Sequence, residues 1–190
     1  MNIGIDFGGV LSMKDKEGTE DKQEGLGLVQ EHKNTCIDMP GAIEALHQLK
    51  AQGHNLILIS FCGKKRALET KQSLEDSGLA ALFSALVFVK KPQFKKNICE
   101  LYQCRYLIDD RADILAHVAT AETVQPILFG DGVDWPQIVA RIGADFAQIK
   151  ADVAAFEAPT ETTLISRILS YVSDPVIPPP SALQPFIQAF

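Results

Sequence analysis

Positive charge is what this sequence is short of. Its 24 acidic residues face 18 lysines and arginines, a net charge of −6, which argues against broad nonspecific binding to nucleic acid but allows a local basic patch. Long apolar runs are also missing. No stretch approaches the length of a membrane span, so no membrane partner is expected, and the first residues have neither the charged segment nor the extended apolar core of a signal peptide. Cysteine is sparse: Cys36, Cys62, Cys99 and Cys104 form no C-x-x-C pair, and the expectation is reduced, structural thiols in a cytoplasmic protein. His32, His47, His54 and His117 show no metal-ligand spacing, and no internal repeat is visible. The single tryptophan, Trp135, follows Gly130-Asp131-Gly132 and is expected to anchor a helix to the core.

What is present is enough for one domain. With 190 residues, 46% of them hydrophobic, the chain can bury a substantial core. Its most informative stretch is Asn2-Ile3-Gly4-Ile5-Asp6-Phe7-Gly8-Gly9-Val10-Leu11. A short apolar run leads into an aspartate, and two glycines then allow a sharp turn. A carboxylate at the carboxyl end of a buried strand sits where open α/β sheets bind ligands, and carboxylates can form aspartyl-phosphates. A second acidic cluster, Asp109-Asp110-Arg111, closes another apolar run, Tyr106-Leu107-Ile108. Two such strand ends suggest one metal-dependent site.

Between them the chain alternates. Residues 12–40 are polar, with Lys14-Asp15-Lys16-Glu17, and read as a flap-like insertion. Pro40-Gly41 opens a helix with Ile43, Leu46 and Leu49 on one side, ending near Gly53. Strands are expected at Asn55–Ser60, Ala85–Val89, Tyr106–Asp109 and Val124–Phe129, the last marked as an edge by Pro126. Helices are expected at Lys64–Ser77, stopped by Gly78, at Gln93–Gln103, at Ala112–Ala119, and as a pair at Trp135–Ile142 and Asp145–Phe156. This alternation predicts an α/β fold: a doubly wound, Rossmann-like, five-stranded parallel sheet in the order 3-2-1-4-5, with helices on both faces. The order puts Asp6 beside Asp109 and Asp110 at the switch point, with Ser60 on the other flank.

The expected domain runs over 1–158. Residues 159–190 differ in character: Thr160 caps a helix with Leu164, Ile165, Ile168, Leu169 and Val172 on one face, Pro178-Pro179-Pro180 stiffens a connector, and the segment Leu183–Phe190 is apolar. That segment either docks on the domain or makes a homo-oligomer contact.

Four elements in order resemble the haloacid dehalogenase (HAD) superfamily, which is dominated by phosphatases. Asp6 matches the family's nucleophile motif, Ser60 the hydroxyl of its second motif, Lys91 before Pro92 the lysine of its third, and Asp109-Asp110, with Asp113 beyond, its acidic metal motif. The match covers roughly residues 1–142. The resemblance implies Mg²⁺ held by Asp6, the Gly8 carbonyl and Asp110, with Asp109 the less favoured ligand, and a phosphoryl group bound by Gly8, Gly9, Ser60, Phe61 and Lys91. Asp6, Ser60 and Lys91 would be catalytic. Lys90, Lys91, Lys95 and Lys96 crowd one segment. Lys91 fits the Lys-Pro spelling, while Lys95 on the following helix is the other candidate.

Two departures bear on function. Family phosphatases usually carry a second aspartate two residues after the nucleophile as general acid and base; here that residue is Gly8. The family's larger cap domains are also missing, which leaves an open site suited to a nucleotide or a bulky phosphorylated substrate. The leading expectation is a Mg²⁺-dependent phosphomonoester hydrolase acting through an aspartyl-phosphate. The alternatives are a non-catalytic phosphate- or partner-binding relative and a C–P or C–halogen hydrolase. Lys64, Lys65 and Arg66, just past Ser60, read chiefly as a solvated helix face with some capacity to steer anions.

Overall fold

The structure is a computed structural model and describes residues 1–13 and 35–157. It divides into two units, Met1–Asp145 and Phe146–Phe190. The site lies in the first. Of the second, only the end of one helix falls among the described residues. The expected flap residues 14–34 and the tail elements beyond residue 157 lie outside them.

Five strands, β1 (Asn2–Ile5), β2 (Asn55–Phe61), β3 (Phe83–Val89), β4 (Cys104–Asp109) and β5 (Gln125–Leu128), form one sheet. Its order is β3-β2-β1-β4-β5, as the alternation predicted, and every pairing is parallel. The helices are α1 (Ala42–Ala51), α2 (Lys64–Asp76), α3 (Phe94–Leu101), α4 (Ala112–Val118) and α5 (Trp135–Glu157). Pro126 sits on edge strand β5, where a missing N–H costs no ladder bond.

Alternation along the strands sorts the core into two layers. Leu56, Leu58, Tyr106 and Ile108 pack with Ala42, Leu46 and Leu49 of α1, Leu74 of α2, and Trp135, Ile138 and Ile142 of α5. Ile57, Ile59 and Leu107 pack on the opposite face with Cys99 of α3 and Leu115 and Val118 of α4. This is the split that right-handed crossovers impose on a sheet wound first one way and then the other from β1. Trp135 is fully buried, and its indole N–H donates to the Val10 carbonyl at 3.1 Å, fixing the start of α5 to the loop after β1.

Two boundaries differ from the sequence reading. The expected pair of final helices is one helix, α5, which runs through Gly143. A lone glycine lowers helix stability by only about 1 kcal/mol, and no proline interrupts the backbone there. The insertion also has buried edges: Ser12 and Ile37 are buried, and the Leu11 carbonyl accepts both Asp38 N–H (3.1 Å) and Met39 N–H (2.9 Å). The Met13 N–H donates to Asp38 Oδ1 at 2.6 Å, so the outgoing and returning strands of the loop are tied at its neck.

Candidate active site

Asp6 follows β1 directly. Its N–H donates to the Ile108 carbonyl at 2.9 Å, extending the β1–β4 ladder by one residue and setting the carboxylate beside the end of β4. The chain then turns tightly. Leu11 N–H and Ser12 N–H both donate to the Phe7 carbonyl at 2.9 Å, and Gly9 takes φ 82°, a conformation that suits glycine. Gly9 N–H donates to the Ser12 carbonyl at 2.7 Å. That donor is therefore engaged by the loop itself.

Gly8 has no such backbone requirement. Among the described residues, a Cβ placed on it would meet one neighbour within 4 Å, the Arg66 Nη2, at 3.9 Å. An arginine at the start of α2 thus reaches across to the loop that follows the nucleophile candidate.

Asp6, Asp109 and Asp110 each bring a carboxylate oxygen within 4.8 Å of the others. Asp109 is fully buried, and both of its oxygens are occupied: Oδ2 by Lys95 Nζ at 2.6 Å, Oδ1 by the Arg111 backbone N–H at 3.0 Å. Lys95 Nζ also lies 2.9 Å from Asp6 Oδ1, an ion pair whose angles fall outside hydrogen-bond geometry. The lysine bridges two carboxylates. Burial, reinforced by the Asp6 charge, pushes the Asp109 carboxyl up to about 6, against the opposing pull of Lys95 and the Arg111 N–H.

The Lys-Pro spelling pointed to Lys91, with Lys95 the other candidate, and the structure separates the two by burial. Lys91 is exposed, whereas Lys95 is fully buried and takes the position between the carboxylates. On α3 the buried residues are Lys95 and Cys99, one helical turn apart. A lysine on the apolar stripe of a short helix was the available signal, because such a charge is buried only where it is paired.

The other expected site residues are placed as follows. Ser60 is buried at the end of β2, beside β1. Phe61, the last residue of β2, is 42% exposed. Asp110 is half-buried in the acidic cluster. Asp113 stands outside that cluster, where the Arg111 guanidinium binds it at 2.6 and 3.1 Å and pulls its carboxyl down. Two site residues escaped the sequence reading. Arg66 looked like part of a solvated face. Cys62 was counted as structural, yet its thiol feels Arg66, Asp6 and Lys95, and burial is the main cause that pushes it up.

Three carboxylates and one ammonium leave a net −2 when ionised, the charge a divalent cation balances. All the donors are hard oxygens, which suit Mg²⁺. The residues present therefore fit the ion the resemblance implies.

No protein-family model matches the chain. Over 114 residues it is 25% identical to the "Putative nucleotidase" of Oceanobacillus iheyensis, covering 60% of this chain and 60% of that protein; the chain spans about three fifths of that relative's length. Among solved structures it is similar to D,D-heptose 1,7-bisphosphate phosphatase from B. bronchiseptica in complex with magnesium and phosphate. The TM-score is 0.50 at 16% identity, over 76% of this chain and 98% of that one. The D,D-heptose 1,7-bisphosphate phosphatase from Burkholderia thailandensis aligns with TM-score 0.47 and 11% identity, over 74% and 97%. The chain shares the doubly wound α/β fold of the B. bronchiseptica phosphatase. At these identities the likeness defines the fold alone.

Proposed function

We propose that this protein is a Mg²⁺-dependent phosphatase of the HAD type, in which Asp6 is the nucleophile. The observation that carries the reading is the convergence of Asp6, Asp109 and Asp110 around Lys95 at the switch point between β1 and β4. The "Putative nucleotidase" and the B. bronchiseptica heptose bisphosphate phosphatase agree with this reaction type.

In this reading one carboxylate oxygen of Asp6 attacks phosphorus and carries the phosphoryl group until water releases it. Lys95 holds Asp6 in place and offsets the charge it shares with Asp109. Asp109, with both oxygens engaged, acts as a fixed anchor for that lysine. The metal would be held by Asp6, the Gly8 carbonyl and Asp110, and would offset repulsion between the anionic nucleophile and its anionic substrate. Ser60 is positioned to donate to a phosphoryl oxygen. The shortness of the insertion after β1, residues 12–40, favours bulky substrates.

Hydrolysis of p-nitrophenyl phosphate that requires Mg²⁺ and vanishes in Asp6→Asn is the expected result. Equal turnover in wild type and Asp6→Asn would remove the nucleophile assignment. Gly8, which offers no acid or base, favours a second reading: a protein that binds phosphate or a partner without turnover. Phosphate binding by calorimetry, with no hydrolysis of any phosphate substrate in Mg²⁺, Mn²⁺ or Co²⁺, would select it.

A further inference from the structure

Acidic and basic groups are segregated along this chain. Its net charge is −6, yet the sequence has no acidic residue between Glu44 and Glu69 and none between Asp76 and Glu100. The first interval contains β2 and the start of α2; the second contains β3 and most of α3. β2 and β3 are neighbours in the sheet. Their carboxyl ends form a flank of the site that contributes no carboxylate, beside the acidic cluster of β1 and β4. Three lysines stand on that flank. Lys64 follows β2, and Lys90 and Lys91 follow β3; all three are exposed, and none makes an ion pair among the described residues. Lys65 and Arg66 have interactions of their own and are not needed for this charge.

Two aromatic residues stand on the same flank. Phe61 pairs in register with Val89, which puts it beside the step from β3 to Lys90. Phe94 opens α3, and its N–H donates to the Lys91 carbonyl at 3.1 Å. They are 42% and 46% exposed. One exposed apolar residue is ordinary, but two aromatics among lysines are a surface that asks for a ligand. Both adjoin the site: Phe61 follows Ser60, and Phe94 precedes Lys95, whose Nζ lies between Asp6 and Asp109. Cations that follow a row of phosphates and rings on which bases stack are the two components of a single-strand binding surface. A sugar bisphosphate would use the lysines and not the rings. A phosphopeptide would offer no row of phosphates.

Resting on the phosphatase reading above, we propose that the substrate is the phosphorylated end of a single-stranded nucleic acid, with its terminal phosphate at Asp6 and its next nucleotides running over the ends of β2 and β3. From β1 to β3 is two strand spacings, about 10 Å, which covers about three phosphates at the axial spacing of one strand. Asp6 forms a bond to phosphorus as the bond from phosphorus to the terminal sugar oxygen breaks. Water then attacks phosphorus and the Asp6–phosphorus bond breaks, which restores the carboxylate. The oxygen of water leaves in inorganic phosphate. Of its two protons, one ends on that phosphate and one on the new sugar hydroxyl.

The test uses the full chain with Mg²⁺ and measures phosphate released from p-nitrophenyl phosphate, thymidine monophosphate, a phosphoserine peptide, and thymidine tetranucleotides phosphorylated at the 5′ or the 3′ end. At least one tetranucleotide should have a KM about tenfold or more below that of the mononucleotide, and which one does so names the end that is bound. Its log KM should rise with log salt at a slope of about 2, three phosphates at about 0.7 each. Lys64→Gln with Lys90→Gln should cut that slope to about 0.7. Phe94→Leu should raise the tetranucleotide KM about tenfold. These positions are exposed, so the variants should fold, which circular dichroism verifies, and kcat on p-nitrophenyl phosphate should stay unchanged. Equal KM for mononucleotide and tetranucleotides, a salt slope unchanged in the double variant, a tetranucleotide KM unchanged in Phe94→Leu, or a lower KM for the peptide overturns the proposal. Turnover of p-nitrophenyl phosphate but of neither tetranucleotide overturns it while the phosphatase reading stands. Inertness towards every compound overturns both.

Discussion

Gly8→Asp tests the site most directly, because the geometry fixes what the new side chain meets. Gly8 has no positive φ, and a Cβ there has ordinary contact with Arg66 Nη2 at 3.9 Å and with nothing else within 4 Å among the described residues. The variant should fold. Restoring a general acid would ordinarily raise turnover of alkyl phosphates by about 10²- to 10⁴-fold. The neighbouring guanidinium works against this. A carboxylate beside an arginine loses about 1–3 pKa units, and each unit cuts the protonated fraction at neutral pH about tenfold. The lower end of the catalytic gain is thus cancelled. Gly8→Asp alone should raise kcat on glycerol 2-phosphate by about tenfold at most, while Gly8→Asp with Arg66→Gln should gain about 10²-fold. On p-nitrophenyl phosphate, whose leaving group needs little protonation, neither should gain appreciably. Steady-state kinetics of the four proteins (wild type, two singles, double) form a double-mutant cycle. Equal gains in the single and double variants would show that Arg66 does not engage residue 8. No gain in either would show that residue 8 does not face the leaving group.

Lys95→Met removes the cation that bridges two buried carboxylates, and breaking such an arrangement costs about 3–5 kcal/mol. Thermal unfolding should show a large drop in Tm that saturating Mg²⁺ partly reverses; an unchanged Tm would mean the bridge is not buried as described. Asp110→Asn should weaken Mg²⁺ binding far more than Asp113→Asn, since Asp113 is tied to Arg111 outside the cluster; calorimetric titration with the reverse ranking would reassign the ligand. Without metal, Asp109 binds its proton more tightly folded than unfolded, with its carboxyl raised from 3.8 to about 6. Its contribution to stability is therefore full below the unfolded value and lost as pH rises through the folded one; denaturant titrations from pH 4 to 7 should show this slope in wild type and not in Asp109→Asn. Replacing Asp15–Lys33 with a short Gly/Ser linker should lower Tm only slightly and shift substrate discrimination, because the loop's neck is closed by bonds among Leu11, Met13, Asp38 and Met39. Global unfolding of that variant would make the loop part of the core.

Strand order and the neighbouring positions of Asp6 and Asp109 were legible because short continuous apolar runs alternate with helices, and the edge because proline cannot donate to a ladder. Helix ends were less so. Gly143 looked like a break because glycine is a poor helix former, but packing of Ile138 and Ile142 outweighs its small cost. The burial of Lys95 was less legible, because a dipeptide spelling was weighed above helical register; Lys95 and Cys99 share the buried side of α3. Arg66 could not have been found from spacing. Its approach to Gly8 depends on where the crossover after β2 sets the start of α2 against the loop after β1, a relation that one sequence without a sheet does not contain.

The lysine between Asp6 and Asp109 has a further consequence. Many small metalloproteins collapse when chelated, since binding free energy and folding free energy are one quantity. Here Lys95 Nζ already lies between Asp6 and Asp109, so on the proposed reading the strand ends would stay together with or without a divalent ion. Scarcity of magnesium in a cell would then silence the protein and leave it folded, out of reach of the proteases that clear unfolded chains. Activity would return as soon as the ion did, with no new synthesis.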